Sequence, residues 1–366
     1  MHVPDGFINA PVSVAAGAVA AGAVAVSLRG ARRELGGTPP GSAGGTPTHG
    51  EGHGGERTAP LAGLVAAFIF AVQMLNFPVA AGTSGHLLGG ALAAILVGPY
   101  TGVLCISVVL LMQGILFADG GLTALGVNIT VMGVVTVVVS YALFRGLVTV
   151  LPRKRRSVTV ASFVAALVSV PAAAIVFTAI YAVGGTTDVP VGKVLTAMVG
   201  VHLLIGIGEA AITMLTVGAV IAVRPDLVHG ARGLAAPLKL RVGGELVDAP
   251  AAAPVAARSP RAVWATGLVT ALVLAGFVSY YASASPDGLE KVAADKGIDK
   301  KVEDHAAKDS PLADYGVKDI SDARISGGLA GVIGVGVTVV AGTGIFWSVR
   351  RRQTKDAGPA RVPDAV

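Results

Sequence analysis

The opening residues Met1-His2-Val3-Pro4-Asp5-Gly6-Phe7 hold the groups best spaced for chemistry. A free α-amine, the His2 backbone nitrogen and the His2 imidazole Nδ1 are joined by covalent geometry into fused five- and six-membered chelate rings. Three nitrogens then lie in one plane, and a fourth would complete the square that suits Ni²⁺ or Cu²⁺. The ion must displace protons from these donors, so affinity should rise with pH. Pro4-Asp5-Gly6 supplies turn chemistry, because proline fixes φ and glycine accepts positive φ; the terminus is therefore able to fold back onto the segment that follows. The plain alternative is a frayed terminus carrying a chance histidine. His202 and Glu209, seven residues apart within an apolar run, share one face of a helix. At that depth they are either functional groups or a hydrogen-bonded structural pair facing another helix.

These residues must be positioned by a membrane protein. Of the 366 residues, 53% are hydrophobic and 14% charged, and the mean hydropathy is +0.72. That composition implies an all-α polytopic chain. Fifty glycines suit helices that approach closely in lipid. The net charge of +6 sits in short loops, which argues for topology and against nucleic-acid binding. A single cysteine, Cys105, excludes an intrachain disulfide and a thiolate cluster. No G-x-x-x-x-G-K-[ST] occurs, so any ATP-driven step belongs to another subunit.

Asn9 to Leu28 is apolar for about 30 Å of helix. Its basic residues Arg29, Arg32 and Arg33 follow the run instead of preceding it, the reverse of a secretory signal. The positive-inside rule then puts the N-terminus outside and Arg29 in the cytoplasm, with Met1 retained. Gly36 to Thr58, with His49 and His53, reads as a flexible cytoplasmic linker. Leu61 to Ala80 is expected to cross outward, carrying Gln73 and Asn76. Thr83 to Val97 as a helix is only about 22 Å, too short to span. Short glycine-interrupted segments are where transporters tend to build sites, and His86 lies at the outer end of this one. Tyr100 to Phe117 carries Gln113, Asp119-Gly120-Gly121 makes an outer turn, and Thr123 to Phe144 carries Asn128. Val158 to Val183 and Val194 to Val223 complete seven crossings, with the C-terminus inside.

Gly233 to Arg261 reads as a second linker, followed by crossings at Ala262 to Tyr281 and Ile325 to Val349. Between them lies a charged outer segment. There Asp287 is expected to cap a helix and Glu290 to close its capping box, with Gly297 ending it. Its small apolar stripe of Leu289, Val292 and Ala293 needs a partner surface, so the segment is expected to dock on the first seven helices.

The opening heptapeptide, Gln73-Met74-Leu75-Asn76-Phe77-Pro78, Gly82-Thr83-Ser84-Gly85-His86-Leu87-Leu88-Gly89-Gly90, Asp119-Gly120-Gly121 with Asn128, and Gly206 to Ala210 together resemble the CbiM/NikM substrate-binding component of cobalt and nickel transporters of the energy-coupling-factor type. Pro286-Asp287-Gly288-Leu289-Glu290 resembles the PDGLE domain, which accompanies or is fused to such components. The resemblance implies a seven-helix S-component core over residues 1–232, a cytoplasmic linker at 233–261, a two-helix PDGLE unit at 262–352 and a cytoplasmic tail at 353–366. It implies that Met1, His2 and His86 hold Ni²⁺ or Co²⁺ as transported substrate. Gln73, Asn76, Ser84 and Asn128 are then placed to orient the imidazoles or the terminal turn. Implied partners are a transmembrane coupling subunit of the CbiQ/NikQ type, ATPases of the CbiO/NikO type and membrane lipid, with no nucleic acid. The location is the plasma membrane, with the N-terminus outside.

Two other readings compete with metal capture. One is a membrane-embedded metal-dependent enzyme using His202 and Glu209, although the sequence has no H-E-x-x-H and a planar nitrogen set leaves little room for a tetrahedral zinc. The other is an extracytoplasmic metal sensor whose PDGLE segment relays occupancy.

Overall fold

The computed structural model describes residues 1–36, 58–80, 82–152, 154–231, 239–242, 245–248 and 260–356. Most of the expected linkers at 36–58 and 233–261 and most of the tail at 353–366 lie outside the described residues. Helices dominate, because long alanine- and valine-rich runs in lipid can satisfy their backbone groups only internally. Among the described residues, seven helices are long and apolar enough to cross a membrane. In the first part of the chain these are α1 (Ala10–Gly36), α4 (Pro99–Leu116), α5 (Leu125–Val150), α6 (Arg155–Gly184) and α7 (Val191–Val223). The second part adds α8 (Pro260–Gly276) and α10 (Ala323–Asp356). Two shorter apolar helices lie between α1 and α4: α2 (Thr58–Gln73) and the eight-residue α3 (Gly90–Val97), which is buried along its whole length. The chain is a multi-pass membrane protein.

Two expected boundaries are corrected here. The crossing expected over Leu61 to Ala80 ends at Gln73, and Phe77–Ala80 forms strand β1 paired antiparallel to β2 (Thr83–Gly85). Pro78 has no N–H to continue a helical ladder, and Gly82 takes positive φ (73°) at the turn. Likewise Thr83 to Val97 is not one helix. Gly89 sits at φ 86°, in the left-handed region that ends regular helix, so α3 begins only at Gly90. His86 therefore lies on the extended stretch between β2 and α3 instead of on a helix.

The capping box of Asp287 and Glu290 forms as expected, starting α9 (Gly288–Lys296), which Gly297 ends at φ 73°. Leu289, Val292 and Ala293 are buried, and α9 docks on α7. α8 and α10 pack on α2, and Asp287, the cap of α9, reaches within 3.5 Å of His86.

Candidate metal centre

The terminal segment runs as an extended strap before α1 and is pinned at nearly every residue. Val3 N donates to Asn128 Oδ1 at 2.8 Å, and Asn128 Nδ2 donates to Val3 O at 3.1 Å. Asp5, buried, accepts from Thr123 N at 2.8 Å and Thr123 Oγ1 at 2.5 Å. Gly6 takes φ 85° with the Lys301 carbonyl where a side chain would stand, so only glycine fits. Thr186 Oγ1 donates to Gly6 O at 2.7 Å. The strap thus delivers Met1 and His2 into the interior, and Met1 is only 3% exposed.

At its tip the Met1 nitrogen lies 2.7 Å from His86 Nε2 and 2.7 Å from Asp287 Oδ2. His86 Nδ1 is 3.0 Å from Leu87 O; a carbonyl can only accept, so Nδ1 carries the proton and Nε2 is left as a bare donor atom toward the amine. The His2 and His86 rings stack with centroids 5.0 Å apart. His2 Nδ1 stands 3.2 Å from Asp119 Oδ1, and Nε2 stands 3.2 Å from Gln113 Oε1. Ligand atoms of His2, His86 and Asp287 lie within 4.8 Å of one another. A cavity of about 360 Å³ opens beside them, bounded also by Gln73, Asp119 and Tyr315.

Burial decides the electrostatics. It pushes the His2 imidazole down to about 4 despite the opposing Asp119 carboxylate, and the Met1 ammonium and His86 add to the shift. The ring is therefore neutral near pH 7, the form a metal ligand requires. Burial also works to raise Asp287, but the Met1 ammonium and His86 override it and hold the carboxyl well below the usual carboxylate range. Tyr315, whose hydroxyl donates to Asp119 Oδ2 at 2.6 Å, is pushed well above the usual phenol value by burial and by that carboxylate.

Of the residues singled out in the sequence, Met1, His2 and His86 come together. Asn128 holds the terminal turn, while Gln73 Nε2 donates to Leu88 O at 2.9 Å, on the loop that carries His86. Ser84 Oγ instead donates to Ser285 O at 2.7 Å, and Asn76 O accepts from Ser283 N, so both tie down the second part of the chain; neither hydrogen-bonds an imidazole. His202 and Glu209 share a buried face but make no bond to each other: His202 Nδ1–H donates to Met198 O, and Glu209 accepts from Leu88 and Gly89 N. The polar pair expected from their spacing is not formed.

Four residues that stand against the site were read differently in the sequence: Gln113 and Asp119 as parts of a helix and a turn, Asp287 as a cap alone, and Tyr315 not at all. A glutamine inside an apolar run was the signal available for Gln113; Asp119 and Asp287 lie in motifs that read as a turn and a cap, and nothing local marks Tyr315.

Residues 2–227 match the family described as the cobalt uptake substrate-specific transmembrane region, CbiM. The chain belongs to the CbiM family. Residues 261–351 of this CbiM-family chain match the PDGLE domain. It is 37% identical over 228 residues to a Haloquadratum walsbyi protein named "Putative metal transport protein", covering 62% of this chain and 93% of that one. It is 43% identical over 177 residues to the "Putative fused nickel transport protein NikMN" of Archaeoglobus fulgidus, covering 48% of this chain and 57% of that one. A crystal structure of a truncated transition metal transporter is 25% identical, with a TM-score of 0.48, covering 61% of this chain and 99% of that one. This CbiM-family chain is a transport component and not an enzyme, so the catalytic reading of His202 and Glu209 is set aside.

Proposed function

We propose that this chain is the substrate-binding component of an energy-coupling-factor importer for Ni²⁺ or Co²⁺, with the Met1 amine, the His2 backbone nitrogen, His2 Nδ1 and His86 Nε2 as a planar four-nitrogen ligand set. The observation that carries the reading is the buried contact of 2.7 Å between the Met1 nitrogen and His86 Nε2. A proton bridges the two donors there, and a divalent ion replacing it would draw on both. The histidine tautomers suit this exchange. His86 already holds its proton on Nδ1, against Leu87 O. When His2 Nδ1 trades Asp119 for the ion, its Nε2–H is left facing Gln113 Oε1, an acceptor at 3.2 Å.

Nitrogen donors in a square favour Ni²⁺ over Co²⁺ by the Irving–Williams order, while supply and pocket shape decide in the cell. The site opens on the extracytoplasmic face, where the basic loops place the N-terminus. The first unit, 1–232, binds the ion. A linker at 233–261 joins it to the PDGLE unit at 262–352, and a tail at 353–366 lies in the cytoplasm. A CbiQ/NikQ-type subunit couples the chain to CbiO/NikO-type ATPases, which supply the energy that this chain has no P-loop to provide.

The test is metal analysis of the purified full chain after Ni²⁺ loading and desalting, beside His86→Ala. The native chain should retain one ion per chain and His86→Ala should retain almost none. Equal retention by a folded His86→Ala protein would remove His86 from the ligand set.

A further inference from the structure

Glu209 is fully buried on α7, in the membrane interior, and among the described residues no cation stands against it. Its two oxygens are nonetheless occupied. Oε2 accepts from Leu88 N at 2.5 Å and Oε1 from Gly89 N at 3.0 Å. These are the N–H groups that precede α3 and find no partner within it. A local serine or aspartate cap would serve the N–H groups inside the first turn of α3 and leave these two unpaired. Here the acceptor comes instead from a helix 120 residues further along the chain.

The peptide that Glu209 grips explains what this arrangement adds. Leu88 N and Leu87 O belong to one planar unit, and Leu87 O is the acceptor for His86 Nδ1–H at 3.0 Å. A continuous line therefore runs from the Glu209 carboxylate through the Leu88 N–H and the Leu87 C=O to the His86 ring. Each bond in such a chain polarises the next. The neighbouring peptide is held in the same way, with Gly89 N–H on Glu209 and Leu88 O accepting from Gln73 Nε2 at 2.9 Å. Gly89, at φ 86°, then turns the chain from these two peptides into α3, a conformation that glycine adopts without strain.

We propose that Glu209 is the positioning residue of His86: through the Leu87–Leu88 peptide it fixes the tautomer and direction of the imidazole and strengthens Nε2 as a donor to the transported ion. Metal-bound histidines commonly hold their second N–H on an acceptor, and in this chain that acceptor is itself anchored by a charge on another helix. Two hydrogen bonds thereby tie α7 to the ligand loop. The inference rests on the reading of His86 as a ligand.

The experiment is a double-mutant cycle on the full chain with its native terminus, using Ni²⁺ as the probe and a competing chelator to set the free concentration. Glu209→Gln keeps the size but offers one acceptor oxygen for two N–H groups. It is expected to weaken Ni²⁺ binding by about ten- to a hundredfold, the usual effect of losing such a support. The visible band of bound Ni²⁺ should also move to longer wavelength as the imidazole becomes a poorer donor. In a His86→Ala background the same substitution should change affinity by less than about threefold, since coupled residues lose their joint effect once. Glu209→Asp, which keeps the charge but reaches less far, should fall between native and Gln, and it serves the cycle if Glu209→Gln does not fold. The proposal is overturned if the folded variants bind Ni²⁺ with native affinity and an unmoved band, or if the loss persists undiminished in His86→Ala. If His86→Ala alone leaves Ni²⁺ affinity unchanged, the ligand reading is what fails, and the positioning role falls with it.

Discussion

Asn128→Ala isolates the clamp that holds the terminal strap in place. The side chain makes two hydrogen bonds to Val3, one from Val3 N at 2.8 Å and one to Val3 O at 3.1 Å. Val3 is wholly buried, and its carbonyl keeps a second partner, Gly121 N at 2.8 Å, so the truncation orphans the Val3 N–H alone. Losing the two bonds and leaving one buried donor unpaired costs about 2–4 kcal/mol. If all of that falls on the metal-competent strap, Ni²⁺ affinity drops by roughly thirty- to several-hundredfold, at about 1.4 kcal/mol per decade. A water entering the vacated space offsets part of it, so a loss of about tenfold or more is expected. Chelator competition on the purified full chain, with circular dichroism to confirm the helices, reads the effect. An Asn128→Ala protein that is folded and binds Ni²⁺ within about threefold of native would refute the view that this clamp presents the ligands.

Asp287 serves both as a cap for α9 and as the counter-charge of the Met1 amine, and Asn keeps only the cap. Asp287→Ala should therefore speed amide hydrogen exchange across 288–296 more than Asp287→Asn does, by about fivefold for a cap worth about 1 kcal/mol; equal rates would deny the cap its part. The His2 imidazole is held at about 4 in the folded chain against an ordinary value of 6.5. Its contribution to stability is thus full above about pH 6.5 and is lost as pH falls toward 4, up to roughly 3 kcal/mol. The depressed Asp287 contributes only to losses at lower pH, below the ordinary carboxylate range. Thermal unfolding of metal-free protein at pH 7.5 and 5 should show a fall in midpoint that His2→Asn reduces; an identical fall in the variant would exclude His2 as its source.

The helical membrane architecture was legible because hydropathy over twenty residues survives any detail of packing. The spacing of the nitrogens at the terminus was legible too, since an amine beside a histidine is defined by covalent geometry alone. What the sequence hid was set by distance along the chain. Asp287 lies 286 residues from Met1, and its local pattern is already accounted for as a cap. Asp119 satisfies the turn chemistry of Asp-Gly-Gly and shows no trace of His2 or Tyr315 until the chain is folded. Glu209 was visible as a charge at membrane depth, but periodicity suggested His202 as its partner, whereas the carboxylate found two backbone amides. The hairpin at 77–85 was missed because the apolar run around it outweighed Pro78 and Gly82.

The central claim is that the Met1 amine itself grips the ion, and the direct measurement is Ni²⁺ affinity of the native chain against the same chain carrying one extra residue ahead of Met1. The extension turns that amine into an amide and moves the free terminus out of the chelate. The account predicts that the native chain binds Ni²⁺ tightly and that the extended chain, equally helical and membrane-inserted, loses binding by at least about a hundredfold. Unchanged affinity in the extended chain would contradict it.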